Sequence, residues 1–276
     1  MIVHLIDGTY ELFRHFYGQR SFNKGKDKPM GAVVGVLNGV LQLIEQGATH
    51  IGVATDHVIE SFRNDLWAEY KTGEGIEPSL KKQFWPLEEG LKAMGVVVWP
   101  MVELEADDAL ASAAHLAAKN KNVQKVCIWT PDKDLAQCVD SDRVVQIDGR
   151  AKTIRDEKAI RSKFGVDPGL IPDFLALVGD SADGYPGISG IGKTGAAQLL
   201  NQYGTIENFP DKVLGKQRER ALLFKRLATL RTDAPLFKSV DELQWSGPAT
   251  DFSTFTGRIG EPKLLTRALA IAGKMK

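Results

Sequence analysis

Short runs of β-branched and aliphatic residues recur in the first half of the chain, at Ile2 to Ile6, Ile51 to Thr55, Val96 to Trp99, Val126 to Thr130 and Val144 to Ile147. Between them apolar positions fall at helical spacing, as in Ala32 to Ile44, Leu80 to Met94 and Asp107 to Ala118. Strands alternating with helices build crossover units, so residues 1–150 are expected to form an α/β part, a central parallel sheet flanked by helices. After Ile147 the strand pattern stops. Asp156 to Phe164, Ile171 to Val178, Thr194 to Tyr203, Gln217 to Leu230 and Pro262 to Ala272 carry helical periodicity between Gly- and Pro-containing turns, which predicts a helical part over 151–276. No low-complexity linker marks the boundary, so the two parts are expected to pack together.

The first four strands each run into acidic residues. Ile2 to Ile6 ends in Asp7, Ile51 to Thr55 in Asp56, Val96 to Trp99 leads to Glu103, Glu105, Asp107 and Asp108, and Val126 to Thr130 leads to Asp132 and Asp134. The carboxyl ends of parallel strands share one edge, and ligands bind in the crevice outside it. A single Asp or Glu there is an ordinary helix-terminus residue, but four successive strand ends bring carboxylates from distant segments to one rim. Crowded carboxylates raise one another's pKa unless a cation neutralises them. Hard oxygen donors at this density suit Mg²⁺ or Mn²⁺. Asp180 and Asp183 add a pair from the helical part, and their spacing of three lets both reach the rim if Asp180 ends the preceding helix. Two sub-sites for divalent ions then become available, the arrangement that assists in-line displacement at a phosphodiester.

Charge balance modifies this picture without opposing it. The 276 residues carry 35 Lys and Arg against 35 Asp and Glu, so the net charge is zero, which by itself argues against a polyanionic partner. An acidic rim and a separate basic surface also sum to zero. From Asp211 to Arg231 there are seven basic residues against two acidic, a candidate track for a duplex backbone. Hydrophobic residues make up 43 %, enough for a sizeable core. Two cysteines, Cys127 and Cys138, fit no metal or disulfide framework and read as reduced thiols. The N-terminal MIVHLIDGTY lacks a signal-peptide pattern, and no apolar run reaches membrane length, so a cytoplasmic location with no membrane partner is expected.

Residues 187–194, GISGIGKT, match the phosphate-cradling loop of P-loop nucleotide hydrolases. That loop requires a buried strand leading into its first glycine, whereas Asp183-Gly184-Tyr185-Pro186 is a turn sequence. The segment fits better as a hairpin between helices. Its glycines would let backbone amides approach a DNA phosphate at a helix N-terminus. A tight turn with no ligand is the alternative.

In combination these segments resemble the bacterial 5′-nuclease superfamily of flap endonucleases and the 5′-3′ exonuclease domain of DNA polymerase I. The likeness rests on LIDGTYELFR at 5–14, SFRNDLWAEYK at 61–71, ELEADDALA at 103–111, TPDKDLAQ at 130–137 and GDSADGYPGISGIGKTGAAQLL at 179–200. It implies a PIN-like parallel α/β fold with a C-terminal helix-three-turn-helix subdomain. It further implies metal-site acids at Asp7, Asp56, Glu105, Asp107, Asp108, Asp132, Asp134, Asp180 and Asp183. Arg63, Tyr70 and Lys71 match a segment at the base of a helical arch, about 71–90, with Lys71 facing the scissile phosphate, Arg63 assisting it and Tyr70 stacking on a base. Lys81 and Lys82 would supply arch cations. Gly187, Ser189, Gly190, Gly192, Lys193 and Thr194, within the hairpin 186–194, would bind duplex backbone, with K⁺ at that hairpin. Thr55 stands where family members usually carry Phe. The expected activity is hydrolysis of DNA at 5′ single-strand/duplex junctions by a free-standing nuclease using two or more Mg²⁺ or Mn²⁺ ions. A non-catalytic, structure-specific DNA-binding protein of the same fold is the alternative; a haloacid-dehalogenase-type phosphatase fails because Leu5 occupies the nucleophile position of D-x-D-G-T.

Overall fold

The computed structural model describes residues 1–23 and 28–275. Five apolar segments form parallel strands: β1 (Ile2–Asp7), β2 (His50–Asp56), β3 (Val97–Met101), β4 (Lys125–Trp129) and β5 (Val144–Asp148). Each lies within one or two residues of its sequence expectation. A sixth strand, β6 (Thr153–Arg155), adds antiparallel to β5, so the sheet is mixed. Three residues with Ile154 exposed leave no periodic signal to read. The order is β3-β2-β1-β4-β5-β6. It reverses direction between β1 and β4, which opens a crevice at their carboxyl ends.

Helices α1 (Gly8–Asn23) and α2 (Gly31–Glu45) follow β1. The first escapes a reading of periodicity, because GTYELFRHFYGQRSFN mixes aromatic and polar residues without a clean apolar stripe. Past β2 come α3 (Phe62–Leu66), α4 (Pro78–Lys81) and α5 (Phe84–Ala93), and past β3 comes α6 (Ala106–Lys119). The helix expected over 80–94 is therefore split at Lys82 and Gln83. Gln83 Oε1 accepts the amides of Ala32 and Val33 at 3.1 and 3.2 Å, pinning the break to the start of α2.

The helical part contains α7 (Glu157–Phe164), α8 (Ile171–Val178), α9 (Lys193–Tyr203), α10 (Asp211–Leu214) and α11 (Arg218–Ala228). These pack into their own core around Phe174, Leu177, Tyr185 and Phe224. The last helices, α12 (Phe252–Arg258) and α13 (Pro262–Met275), return to the other end of the molecule. Phe252, Phe255, Leu264 and Ile271 share one core with Val36, Leu37, Leu87 and Leu91 of α2 and α5. On the opposite face of the sheet, α6 covers Val3, Leu5 and Val126 with a stripe of alanines. Among the described residues, no helix is long and apolar enough to cross a membrane. Both cysteines are free thiols, Cys127 buried and Cys138 half-buried.

Candidate active site

The strand-end acids meet at the crevice. Asp7 Oδ1 accepts the Tyr10 amide at 2.8 Å, and its Oδ2 accepts the Thr130 hydroxyl at 3.0 Å. The second bond spans the point where strand order reverses between β1 and β4. Asp56, on β2, accepts the Ala106 amide at the start of α6 at 2.8 Å, while its own amide donates to Thr9 Oγ1. Glu105 caps α6, with Asp107 and Asp108 in its first turn, where helix amides favour negative charge. Asp132 Oδ1 accepts the Asp134 amide at 2.9 Å.

The acids from the helical part arrive by a different route from the expected helical spacing. Helix α8 ends at Val178, and Asp180 lies beyond it. Asp180 and Tyr185 exchange both backbone hydrogen bonds, at 2.8 and 3.0 Å, closing a tight turn that carries Asp183. Gly184 in that turn has φ +83°, and a Cβ there would sit 2.0 Å from the Glu69 carbonyl. Only glycine lets the 69–71 segment lie against it. Carboxylate oxygens of Asp134, Asp180 and Asp183 lie within 4.8 Å of one another. Asp134 Oδ1 is buried with no hydrogen-bond partner, so the cluster has a free hard donor facing its neighbours. These residues fit a divalent cation.

The electrostatics agree. Burial, reinforced by Asp56 and Asp132, pushes the Asp7 carboxyl up to about 7. Burial and the charges of Asp180, Asp132 and Glu105 push Asp183 up to about 6 against the lowering effect of Lys71. Asp107 and Asp134 are raised well above the usual range, by burial first and then by Asp132. Asp56 is raised by burial. Such a web carries more negative charge than its neighbouring side chains offset.

Lys71 is a cation built into it between the two parts of the chain. Its Nζ lies 2.9 Å from Glu105 Oε2 and 3.1 Å from Asp183 Oδ1, so it joins an acid of the α/β part to one of the helical part. Its amide donates to the Asp183 carbonyl at 3.0 Å. Burial alone would lower its pKa, but Glu105, Tyr70 and Asp183 hold it well above the ordinary lysine value. The Lys71 side chain as a whole remains 30 % exposed.

Two members of the predicted arch base lie elsewhere than expected. Arg63 is 1 % exposed; it grips Asp108 with two bonds of 2.7 and 2.8 Å and donates to the Leu227 carbonyl at 2.8 Å. A guanidinium so enclosed cannot reach a phosphate, and the assisting role is corrected to a positioning one. Asp108 is spent likewise, accepting also the amides of Glu105 and Arg231, so it holds Arg63 rather than facing the crevice. Tyr70 is 3 % exposed, its hydroxyl 3.4 Å from Glu105 Oε2, which leaves its ring inside the core instead of open to a base. Within 71–90, α5 is packed into the core through Leu87; Lys81 and Lys82 are exposed on and beside α4.

The hairpin 186–194 is a turn between α8 and α9, with no strand before it, which removes the P-loop reading. Gly187 (φ +73°) is buried against the Gly179 backbone, where a Cβ would approach within 2.4 Å. Ser189, Gly190, Gly192, Lys193 and Thr194 are exposed. The first helical bond of α9 runs from the Ala196 amide to the Gly192 carbonyl, so the preceding amides have no acceptor within the helix. Of the basic run after Asp211, Arg218 is consumed by the Glu207 and Phe209 carbonyls and Lys225 by Asp173 and Glu207. Lys212, Lys216, Arg220 and Arg226 stay exposed.

Several supporting groups lie inside the quoted segments but carry no role in the sequence reading: Ser61, which donates to Glu105 Oε1 at 2.6 Å; Thr130 and Thr9, which hold Asp7 and Asp56; and Lys133, which pairs with Asp180. The one available signal is proximity. Thr9, Thr130 and Lys133 lie within two residues of an acid in the chain.

Two family models cover most of the chain: "5'-3' exonuclease, N-terminal resolvase-like domain" at residues 2–165 and "5'-3' exonuclease, C-terminal SAM fold" at 166–251. The chain is 32 % identical over 265 residues to a 5'-3' exonuclease of Buchnera aphidicola, covering 89 % of this chain and 87 % of that one. A 5'-3' exonuclease of Aquifex aeolicus is 32 % identical over 256 residues, with the same coverages. DNA polymerase I of Pseudomonas aeruginosa is 34 % identical over 259 residues, 87 % of this chain but 28 % of the polymerase. Among solved structures, T5 5'-exonuclease with bound zinc superposes with a TM-score of 0.64 at 18 % identity, covering 99 % of this chain and all of that one. The catalytic core of Rad2 in complex with DNA substrate gives 0.61 at 14 % identity, covering 97 % and 91 %. By sequence over nearly its whole length, and by a fold shared with these nucleases, the chain belongs to the 5′-3′ exonuclease family.

Proposed function

We propose that this protein is a divalent-metal-dependent, structure-specific 5′ nuclease that hydrolyses DNA phosphodiesters at 5′ ends and flap junctions during replication and repair. The observation that carries this reading is the meeting of Asp134 with Asp180 and Asp183 beside a Lys71 ammonium bridging Glu105 and Asp183. Asp7, Asp56, Glu105, Asp107, Asp132, Asp134, Asp180 and Asp183 would hold two or more Mg²⁺ or Mn²⁺ ions. When bound, such ions activate water and offset charge on the leaving oxygen of an in-line displacement. Lys71 keeps its proton at the working pH and presents a compact cation to a phosphate oxygen as negative charge develops. Arg63, locked to Asp108, sets the start of α6 and thereby Glu105 and Asp107.

The duplex would rest on the α9 amides and the exposed Lys193 and Thr194, with Lys81 and Lys82 attracting the single strand. K⁺ at the hairpin belongs to the same reading, the donors available being backbone carbonyls and the Ser189 hydroxyl. A cytoplasmic monomer is proposed with it. The test is a 5′-labelled flap and a nicked duplex incubated with Mg²⁺, with and without chelator, comparing wild type with Asp132→Ala. Product that depends on both the metal and Asp132 supports the reading. DNA binding without product in any condition would overturn it in favour of a non-catalytic binding protein.

A further inference from the structure

At the carboxyl end of β2, Asp56 turns toward α6 while both its neighbours turn toward α5. The Thr55 hydroxyl donates to Glu88 Oε1 at 2.8 Å, and His57 Nδ1 lies 2.9 Å from Glu88 Oε2. Glu88 is 5 % exposed, and both its oxygens are committed to this pair. One helical turn earlier, Trp85 lays its indole on the His57 imidazole, ring centroids 5.4 Å apart and planes within 5° of parallel. Trp85 is nevertheless 67 % exposed. A large aromatic left open to solvent, yet held flat by a ring that is itself held by a buried carboxylate, is a preorganised surface that loses little entropy when something stacks on it.

The stack lines a largely apolar cleft of about 1300 Å³ whose other walls include Ile59 and Pro78, and whose rim carries Lys81 and Lys82. Two features choose the occupant. Aromatic planes beside lysines match the two halves of a nucleotide, base and phosphate. His57 also follows Asp56 directly in the chain, so the stack stands beside the acid that ends β2, on its α5 side. Bases within a duplex are already stacked and paired, so only an unpaired base can lie on the indole. We infer that the His57–Trp85 stack is a nucleobase subsite taking an unpaired base of the 5′ strand. The inference rests on the nuclease reading above and adds a base-stacking contact on the α5 side of the crevice.

The experiment crosses protein with substrate. Wild type, Trp85→Ala and Trp85→Phe are titrated with two 5′-flap duplexes of equal length, one with ordinary flap bases and one with abasic flap residues that keep every phosphate. Binding is read by anisotropy with Ca²⁺ in place of Mg²⁺, and KM by cleavage with Mg²⁺. Trp85→Ala is expected to weaken the ordinary flap about 5- to 150-fold, the range for one stacked base, and Trp85→Phe to recover most of it. The abasic flap should bind wild type more weakly and show no further loss with Trp85→Ala. Equal losses on both flaps, or no loss on either, would overturn the subsite. Should Trp85→Ala fail to fold, wild type binding the two flaps equally overturns it alone. Wild-type cleavage of a nicked duplex lacking a flap tests the nuclease reading separately.

Discussion

Arg63 and Asp108 form a two-pronged ion pair, with bonds of 2.7 and 2.8 Å, in which neither side chain is more than 1 % exposed. The pair ties α3 to the first turn of α6, and the guanidinium also donates to the carbonyls of Leu227 and Thr229 at the end of α11. It sits under the active site as a keystone between the two parts of the molecule.

Removing one partner leaves a buried charge alone. Arg63→Ala is therefore expected to lower stability by about 3–5 kcal/mol. Arg63→Lys should recover little, because an ammonium cannot reproduce two parallel bonds to one carboxylate. Denaturant unfolding checks this; a variant of normal stability with a selectively lowered cleavage rate would return Arg63 to the phosphate.

Lys71→Ala should behave differently. The side chain is partly exposed and its ammonium sits among the site acids Glu105 and Asp183, so its loss is expected to lower kcat about 10²- to 10³-fold, the scale of one charge-stabilising donor, while DNA affinity changes little. Single-turnover cleavage beside equilibrium binding separates the two. A loss confined to affinity would make Lys71 a binding residue only.

The raised carboxyls predict how pH acts on the metal-free protein. Unfolded, these groups lose their protons near pH 4; folded, Asp183 holds its proton to about 6 and Asp7 to about 7. The native state thus binds more protons across this window, and metal-free stability falls as pH rises through it. Divalent ions bind the deprotonated form and reverse the trend. Calorimetry should show a larger Mg²⁺-induced rise in Tm at pH 8 than at pH 5.5. Asp134→Asn, by removing a buried charge with an orphaned oxygen, should raise the metal-free Tm at pH 8 and lose much of the Mg²⁺ response.

Neighbours in the basic run should part company. Lys225 lies 2.9 Å from Asp173, which is 1 % exposed, so Lys225→Ala is expected to lower Tm by stranding that carboxylate. Arg226 is exposed. Arg226→Ala should leave Tm unchanged and reduce the slope of log affinity against log salt by about 0.7–0.9, the loss of one phosphate contact. Affinity that falls with salt in a chain of zero net charge would reflect the separation of an acidic rim from a basic flank.

The parallel strands and most longer helices are legible because burial imposes periodicity, and periodicity is written locally. So is the acid rim: an acid placed just after a parallel strand reaches the same edge wherever in the chain that strand lies. The three-residue β6 and the stripe-free α1 carry no such pattern. Helical spacing assigns Asp180 and Asp183 to the site, whereas a two-bond backbone turn brings them there.

The harder distinctions are between residues of the same type. Asp107 and Asp108 are adjacent in sequence, yet one joins the acid web and the other locks Arg63. Lys225 and Arg226 are adjacent too, one spent on a buried acid and one free in solvent. Local sequence specified which residues could serve: acids at strand ends, glycines where the backbone turns back, cations in a run. Which of them face the crevice, and which are consumed in holding it, depended on packing between segments as far as 166 residues apart, as between Arg63 and Thr229. A side chain's charge is a property of its own atoms, but its exposure and its partners are set by whatever the rest of the chain packs against it.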